Sequence, residues 1–178
     1  QTDSSKLLEN AQVEANGGNG VMLEESADNV IAGNRIGQNK KNGVFLYESR
    51  GNEIPGEGQI ANQIYENEEH GLQLDASRDN FIYDNEIRNN HLDGIRFNYS
   101  RHNGILGAVK IGKNGGDGIR LVGSSWNYLN APPLGRSGAS IRNSWTRDNG
   151  GSGIHLIGSP GNSIKWFQIS NQKVGVFL

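Results

Sequence analysis

The stretch Asn80-Phe81-Ile82-Tyr83-Asp84-Asn85-Glu86-Ile87-Arg88-Asn89-Asn90-His91-Leu92-Asp93-Gly94-Ile95-Arg96-Phe97 decides the fold. Reduced to its recurring letters it reads N-x-I-x-x-N-x-I-x-x-N-x-x-x-G, followed by hydrophobic-x-hydrophobic. That closing unit is an anchor, and it recurs at Gly20, Gly43, Gly71, Gly94, Gly118, Gly153 and Gly175. Four residues before each anchor glycine stands an asparagine: Asn16, Asn39, Asn67, Asn90, Asn114, Asn149 and Asn171. Six residues after the first six anchors stands a serine: Ser26, Ser49, Ser77, Ser100, Ser124 and Ser159. Nine after stands another asparagine: Asn29, Asn52, Asn80, Asn103, Asn127 and Asn162. A fixed period of this size is the signature of a solenoid.

Each repeat holds three short apolar stretches. The anchor supplies two inward residues, such as Val21 and Leu23. A second stretch carries Ile31, Ile54, Ile82, Ile105, Leu129 and Ile164, and a third carries Val13, Ile36, Ile64, Ile87, Ile111 and Ile169. The third stretch of the sixth coil is expected near Trp145. Apolar residues alternate with polar ones, as period two requires of strands. Gaps of two or three residues leave no room for helices, so the chain bends at each gap and stacks coil on coil. The expected fold is all-β: a right-handed single-stranded parallel β-helix of about seven coils of 22–24 residues. The asparagine and serine columns then read as ladders that satisfy the backbone at the bends, with asparagine tolerating the left-handed conformation there.

Composition narrows the function classes. The chain has 178 residues, a net charge of −2 and no cysteine. Near-neutral charge speaks against a nucleic-acid partner. No apolar run approaches 18 residues, so membrane insertion is not expected. Without cysteine there is neither a disulfide framework nor a thiolate metal site. The acidic residues Glu24, Glu25, Glu66, Glu68, Glu69, Asp79 and Asp84 show no calcium-loop spacing and read as solubilising; no metal or cofactor is expected. The 26 glycines, with the asparagines, read as turn residues between strands.

Anchor spacings are 23, 28, 23, 24, 35 and 22. The excess falls between the second and third stretches, as insertions at 55–59 and 130–141 and one extra residue near Leu106-Gly107-Ala108. Insertions in solenoids map to loops on one face, often a binding face. The outward residues of the anchors are Met22, Phe45, Gln73, Arg96, Arg120, His155 and Phe177, followed two places on by Glu24, Tyr47, Asp75, Asn98, Val122 and Ile157. Arg96, Arg120 and His155 should form a basic stripe with Asp75 and Tyr47 nearby. Such a stripe suits a carboxylate-bearing sugar, because arginine binds carboxylates bidentately. Trp126, Tyr128 and Trp145 flank the largest insertion and can stack on sugars or cover the coil edge. The carbohydrate candidates are therefore Arg96, Arg120, His155, Asp75, Trp126 and Tyr128. Any catalytic role would fall among Arg96, Arg120, His155 and Tyr47.

The repeat pattern resembles the parallel β-helix repeats of the pectate-lyase-like superfamily, especially those of mannuronan C5-epimerases and NosD-type proteins. The resemblance implies a secreted, cell-surface or periplasmic β-helix that binds or processes an acidic polysaccharide. Alginate epimerases of this type carry an Asp-Pro-His segment. This chain has none, and Gly153-Ile154-His155 is its nearest analogue. A lyase or epimerase needs a base for the C5 proton and a cation for the uronate carboxylate. The NosD-type reading gains nothing from His70, His91, His102 and His155, which do not share one column. The alternative expectation is a structural module of a filament, sheath, surface layer or tail-spike shaft. The repeat runs to both ends of the sequence, 1–178 as one solenoid domain, without a recognisable cap. The sequence starts at Gln1 and shows no signal peptide, which fits a processed product. The open ends give the expectation of a fragment or of self-association through stacked coils.

Overall fold

The computed structural model describes residues 5–8, 10–56, 61–130 and 144–178. The insertion residues 57–59 and 131–141 lie outside the described residues. Every described strand is parallel to its neighbours, in three sheets of seven strands each. The anchor sheet is built from Val21–Glu24, Val44–Tyr47, Leu72–Asp75, Ile95–Asn98, Ile119–Val122, Ser152–Ile157 and Val174–Phe177. The second sheet runs from Lys6–Leu8 through Phe81–Tyr83 to Ser163–Ile164, and the third from Gln12–Glu14 through Glu86–Arg88 to Gln168–Ser170. The chain visits the sheets in turn and winds as a right-handed parallel β-helix.

Register follows the sequence columns. Ile95 pairs with Leu72 and Ile119, Ile82 with Ile54 and Ile105, and Ile87 with Ile64 and Ile111. All of these are fully buried and form one axial core with Leu46, Leu74, Phe97 and Leu121. Each such side chain stabilises the coil by about 1.5–3 kcal/mol of removed apolar surface. In the sixth coil the inward residue of the third stretch is Thr146, fully buried between Ile111 and Ile169, whereas Trp145 faces outward in the column of Lys110. A polar hydroxyl in an isoleucine column hid that strand from a hydrophobic pattern.

The ladders are continuous. Asn29 Nδ2 donates to Asn52 Oδ1 at 2.9 Å, Asn52 to Asn80 at 2.9 Å, Asn80 to Asn103 at 3.0 Å and Asn103 to Asn127 at 3.2 Å. Backbone amides of Ser26, Ser49, Ser77 and Ser100 donate to the hydroxyl one coil on, at 3.0–3.1 Å. A third column, Asn34 to Asn62 to Asn85, stacks at the bend between the second and third sheets.

Three details depart from the sequence reading. The left-handed conformation does not fall on the ladder residues. It falls on the residue before each of them: Asp28, Asp79, His102 and Trp126 before the asparagines, and Glu25, Glu48, Ala76 and Tyr99 before the serines. Those preceding residues turn the chain, while the ladder residue keeps its side chain inward and bonded. The anchor glycines, in turn, serve close approach rather than turning. A Cβ on Gly94 would stand 2.7 Å from the carbonyl oxygen of Gly118, and one on Gly71 would stand 2.7 Å from that of Gly94. In the last coil the column preceding the anchor slips by one residue. The Asn149 amide donates to Gln172 Oε1 at 3.3 Å, and Asn171 instead donates to Asp148. The shorter bend there puts glutamine, with its longer reach, in the place of asparagine.

Candidate functional site

The residue just before each of the first six anchor glycines forms another column, half-buried at Asn19 and buried at Asn42, His70, Asp93, Asp117 and Ser152. Each of the first five offers a side-chain acceptor to the backbone amide of the next. Asn19 Oδ1 accepts from the Asn42 amide at 3.1 Å, and Asn42 Oδ1 from the His70 amide at 3.1 Å. His70 Nδ1 accepts from the Asp93 amide at 3.0 Å, Asp93 Oδ1 from the Asp117 amide at 2.8 Å, and Asp117 Oδ1 from the Ser152 amide at 2.6 Å. Two carboxylates thus take ladder places that asparagine fills in the first coils, and each keeps a second oxygen to spend outward.

Those oxygens meet the basic stripe. Arg96, Arg120 and His155 occupy one outward column, in register from coil to coil. Arg96 Nη1 lies 3.7 Å from Asp93 Oδ2 and Arg120 Nη1 lies 3.6 Å from Asp117 Oδ2. These separations give charge pairing rather than hydrogen bonds. His155 Nδ1 makes the closest contact, 2.9 Å from Asp117 Oδ2. The ring of Phe177 meets the His155 ring edge-on at 4.8 Å between centroids. With Nδ1 committed to Asp117, Nε2 is the ring nitrogen left for a ligand. Stacked like charges become tolerable because carboxylates sit directly behind them.

Burial sets the protonation behind the stripe. His70 is held down at about 4, first by burial and then by Arg96 and Arg120. It is therefore neutral at pH 7 with its proton on Nε2, since Nδ1 accepts the Asp93 amide. The 3.3 Å approach of Asp93 Oδ2 to that same Nδ1 is consequently not an ion pair. Burial also raises the Asp93 carboxyl above the usual range.

Asp75 joins the stripe through a relay. Arg96 Nε donates to Asn98 Oδ1 at 2.9 Å, Asn98 Nδ2 donates to Asp75 Oδ1 at 2.8 Å, and Gln73 Nε2 bonds both Asp75 oxygens at 3.0 Å. Tyr47 stands one coil beyond Asp75 on the same sheet. Its hydroxyl is raised above its ordinary value, first by a hydrogen bond to Glu48, so it stays protonated and turned toward that acid. Arg120 Nε is shielded from solvent and has no hydrogen-bond partner among the described residues. Trp126 and Tyr128 belong elsewhere. Trp126 lies at the bend, its ring over Gly161, and Tyr128 lies on the second sheet beside Gly104 and Ser163. Tyr99 and His102 also sit at that bend, both with positive φ. Among the described residues no group of three or more His, Cys, Asp or Glu side chains could hold a metal ion.

The profile described as "right handed beta helix region" matches residues 1–131. The chain belongs to the right-handed β-helix family. Among solved structures, this β-helix is similar to the periplasmic alginate epimerase AlgG, as its D317A mutant. The TM-score is 0.73 at 20% identity, over 95% of this chain and 45% of that one. It is also similar to the A-module of the mannuronan C-5 epimerase AlgE6 of Azotobacter vinelandii. There the TM-score is 0.64 at 18% identity, over 100% of this chain and 55% of the module. The chain thus spans about half the length of these structural relatives. No curated protein sequence gives a significant match. At such identities the likeness establishes the shared fold.

Proposed function

We propose that the outer face of the anchor sheet binds an acidic, uronate-containing polysaccharide outside the cytoplasm. The observation that supports this most is the in-register column Arg96, Arg120 and His155 backed by buried Asp93 and Asp117. Successive coils are about 4.8 Å apart, so the column offers Arg96, Arg120 and the His155 imidazole, one per coil, to a chain lying along the solenoid axis. Guanidinium groups are suited to sugar carboxylates, and the Asn98–Asp75–Gln73 relay offers acceptors and donors for hydroxyls. The structural relatives are an alginate epimerase and a mannuronan C-5 epimerase, which lends the substrate class support.

Chemistry on the bound sugar is the second reading, favoured by the His155–Asp117 contact alone. Asp117 would fix the imidazole so that Nε2 takes a proton, with Arg120 beside it to hold the uronate carboxylate. Tyr47, turned to Glu48, would take no part.

Titration with defined oligouronates tests the binding reading. Arg96→Ala plus Arg120→Ala should weaken binding at least tenfold; because it also removes the counter-charges of buried Asp93 and Asp117, the unfolding midpoint is measured alongside to show that the coil is still folded. Unchanged affinity in that double variant would remove the site. Formation of an unsaturated uronate or exchange of the C5 hydrogen with solvent deuterium, abolished by His155→Gln, would establish the chemical reading.

A further inference from the structure

The third sheet carries a second basic groove that shares no residue with the anchor-sheet face. It is about 500 Å³ in volume, and its lining includes Glu86, Arg88, Lys110, Lys113, Trp145 and Arg147. Four cations therefore face one carboxylate, and that carboxylate is already engaged: Arg88 Nε donates to Glu86 Oε1 at 3.1 Å. Lys110 and Lys113 form no ion pair with any described residue. Arg147 Nε is 3.9 Å from Asp148 Oδ2, too far for a hydrogen bond.

The groove is built rather than incidental. Gly112 leaves the floor open, because a Cβ there would stand 3.0 Å from Trp145 Cζ3 and 3.1 Å from the Arg147 carbonyl oxygen. The indole fills that space, and the Arg147 guanidinium lies over it at 4.2 Å. An exposed arginine is thereby held in one orientation beside two lysines, which reduces the entropy lost on binding an anion. The same device recurs lower on the sheet with Tyr65 over Gly37, but there Glu14 engages both Arg35 and Tyr65, so Arg35 is not free, and Arg88 lies over the same ring at 5.3 Å.

Arg88, Lys110 and Arg147 belong to three successive strands of the sheet, and Lys113 stands at the bend just after the strand of Lys110. Their charges rise along the axis in steps of about 4.8 Å. We infer that this groove is a second binding site, for an acidic oligosaccharide laid along the solenoid axis with its acid groups on Lys110, Lys113 and Arg147, and with Arg88, paired to Glu86, at one end of the groove. A saccharide is favoured over a nucleic acid because the basic patch spans only these three coils of a chain whose net charge is −2. The indole edge supplies an apolar wall for sugar C–H groups. The site stands independently of the one on the anchor sheet, and either can fail without the other.

Backbone amide NMR of the whole chain tests it, with a uronate hexasaccharide, a sulfated hexasaccharide and a single-stranded DNA hexamer as probes. One of the two saccharides should shift the amides of Lys110 to Lys113 and of Arg147 saturably, and which one does so identifies carboxylate or sulfate as the acid group. Those shifts should persist in Arg96→Ala plus Arg120→Ala, with the same midpoint. They should weaken about three- to tenfold in Lys110→Ala plus Lys113→Ala, whose exposed side chains leave the core untouched. Lys110→Arg plus Lys113→Arg should retain binding. Absence of shifts at these amides with both saccharides, shifts indifferent to the lysine substitutions, or tighter binding of the DNA would each overturn the inference.

Discussion

Asp117 holds two neighbours at once: its Oδ1 accepts the Ser152 amide at 2.6 Å and its Oδ2 holds His155 Nδ1 at 2.9 Å. The residue therefore couples the scaffold of the coil to the outward face. The two jobs separate by substitution. Asp117→Asn keeps an acceptor for the amide and should change stability by less than about 1 kcal/mol, while altering the partner of His155. Asp117→Ala orphans a buried amide and should cost roughly 1–3 kcal/mol. Urea unfolding of the two variants checks this, and equal losses would show that the backbone contact carries no weight.

The anchor glycines give a steric prediction. A Cβ on Gly94 would lie 2.4 Å from Ile111 Cγ2 and 2.7 Å from the Gly118 carbonyl, in the middle of the core. No positive φ is needed there, so the backbone itself would accept alanine. Gly94→Ala should cost about 3 kcal/mol or more through overpacking between coils. Gly17→Ala meets nothing within 4 Å and should be neutral or slightly stabilising. If both shift the urea midpoint alike, contact between coils is not the reason for glycine.

Ladder position should set ladder cost. Asn80 is fully buried; its Nδ2 reaches Ser49 O, Arg78 O and Asn103 Oδ1, and its Oδ1 accepts from Asn52. Asn80→Ala leaves several buried groups unpaired and should cost roughly 3 kcal/mol. Asn162 is half-buried, so water can replace part of what it gives, and Asn162→Ala should cost about 1 kcal/mol. Thermal unfolding of the pair measures the ratio, and a larger loss at Asn162 would contradict a ladder stabilised by desolvated bonds.

Sequence columns were legible wherever one residue type repeats. Stacked strands put identical neighbours about 4.8 Å apart, so asparagine and serine mark themselves. The column Asn19, Asn42, His70, Asp93, Asp117 and Ser152 was missed because its residue type changes while its function as an acceptor does not. Grouping side chains by acceptor capacity at a fixed offset from the anchor glycine would have revealed it. The stripe Arg96–Arg120–His155 was found by offset, yet the carboxylates that make it tolerable were not. The groove at Lys110 and Trp145 does not show as a sequence column because its cations occupy three different offsets. The insertion of irregular length before Trp145 also broke the count that would have aligned them.

His70 makes stability depend on pH, and the sign can be worked out. Unfolded, its imidazole titrates near 6.5; folded, burial holds it at about 4. Between those values the unfolded chain binds the extra proton, so stability rises with pH. The contribution is fully present above about pH 6.5 and is lost as pH falls toward 4, by on the order of 3 kcal/mol in all. Asp93 acts the other way: with its folded value raised, it favours the folded state below its unfolded value of 3.8 and loses that advantage as pH rises through its folded value. The two dependences separate by variant. His70→Asn supplies the amide acceptor already used by Asn42 in the preceding coil and should flatten the loss between pH 6.5 and 4. Asp93→Asn keeps an acceptor for the Asp117 amide and removes the titrating carboxyl, so it should abolish the fall in stability that Asp93 contributes as pH rises, at the cost of the charge facing Arg96. Urea midpoints from pH 4 to 8 decide the matter. A curve that His70→Asn leaves unchanged in slope over that interval would show that the buried imidazole is not the group being titrated.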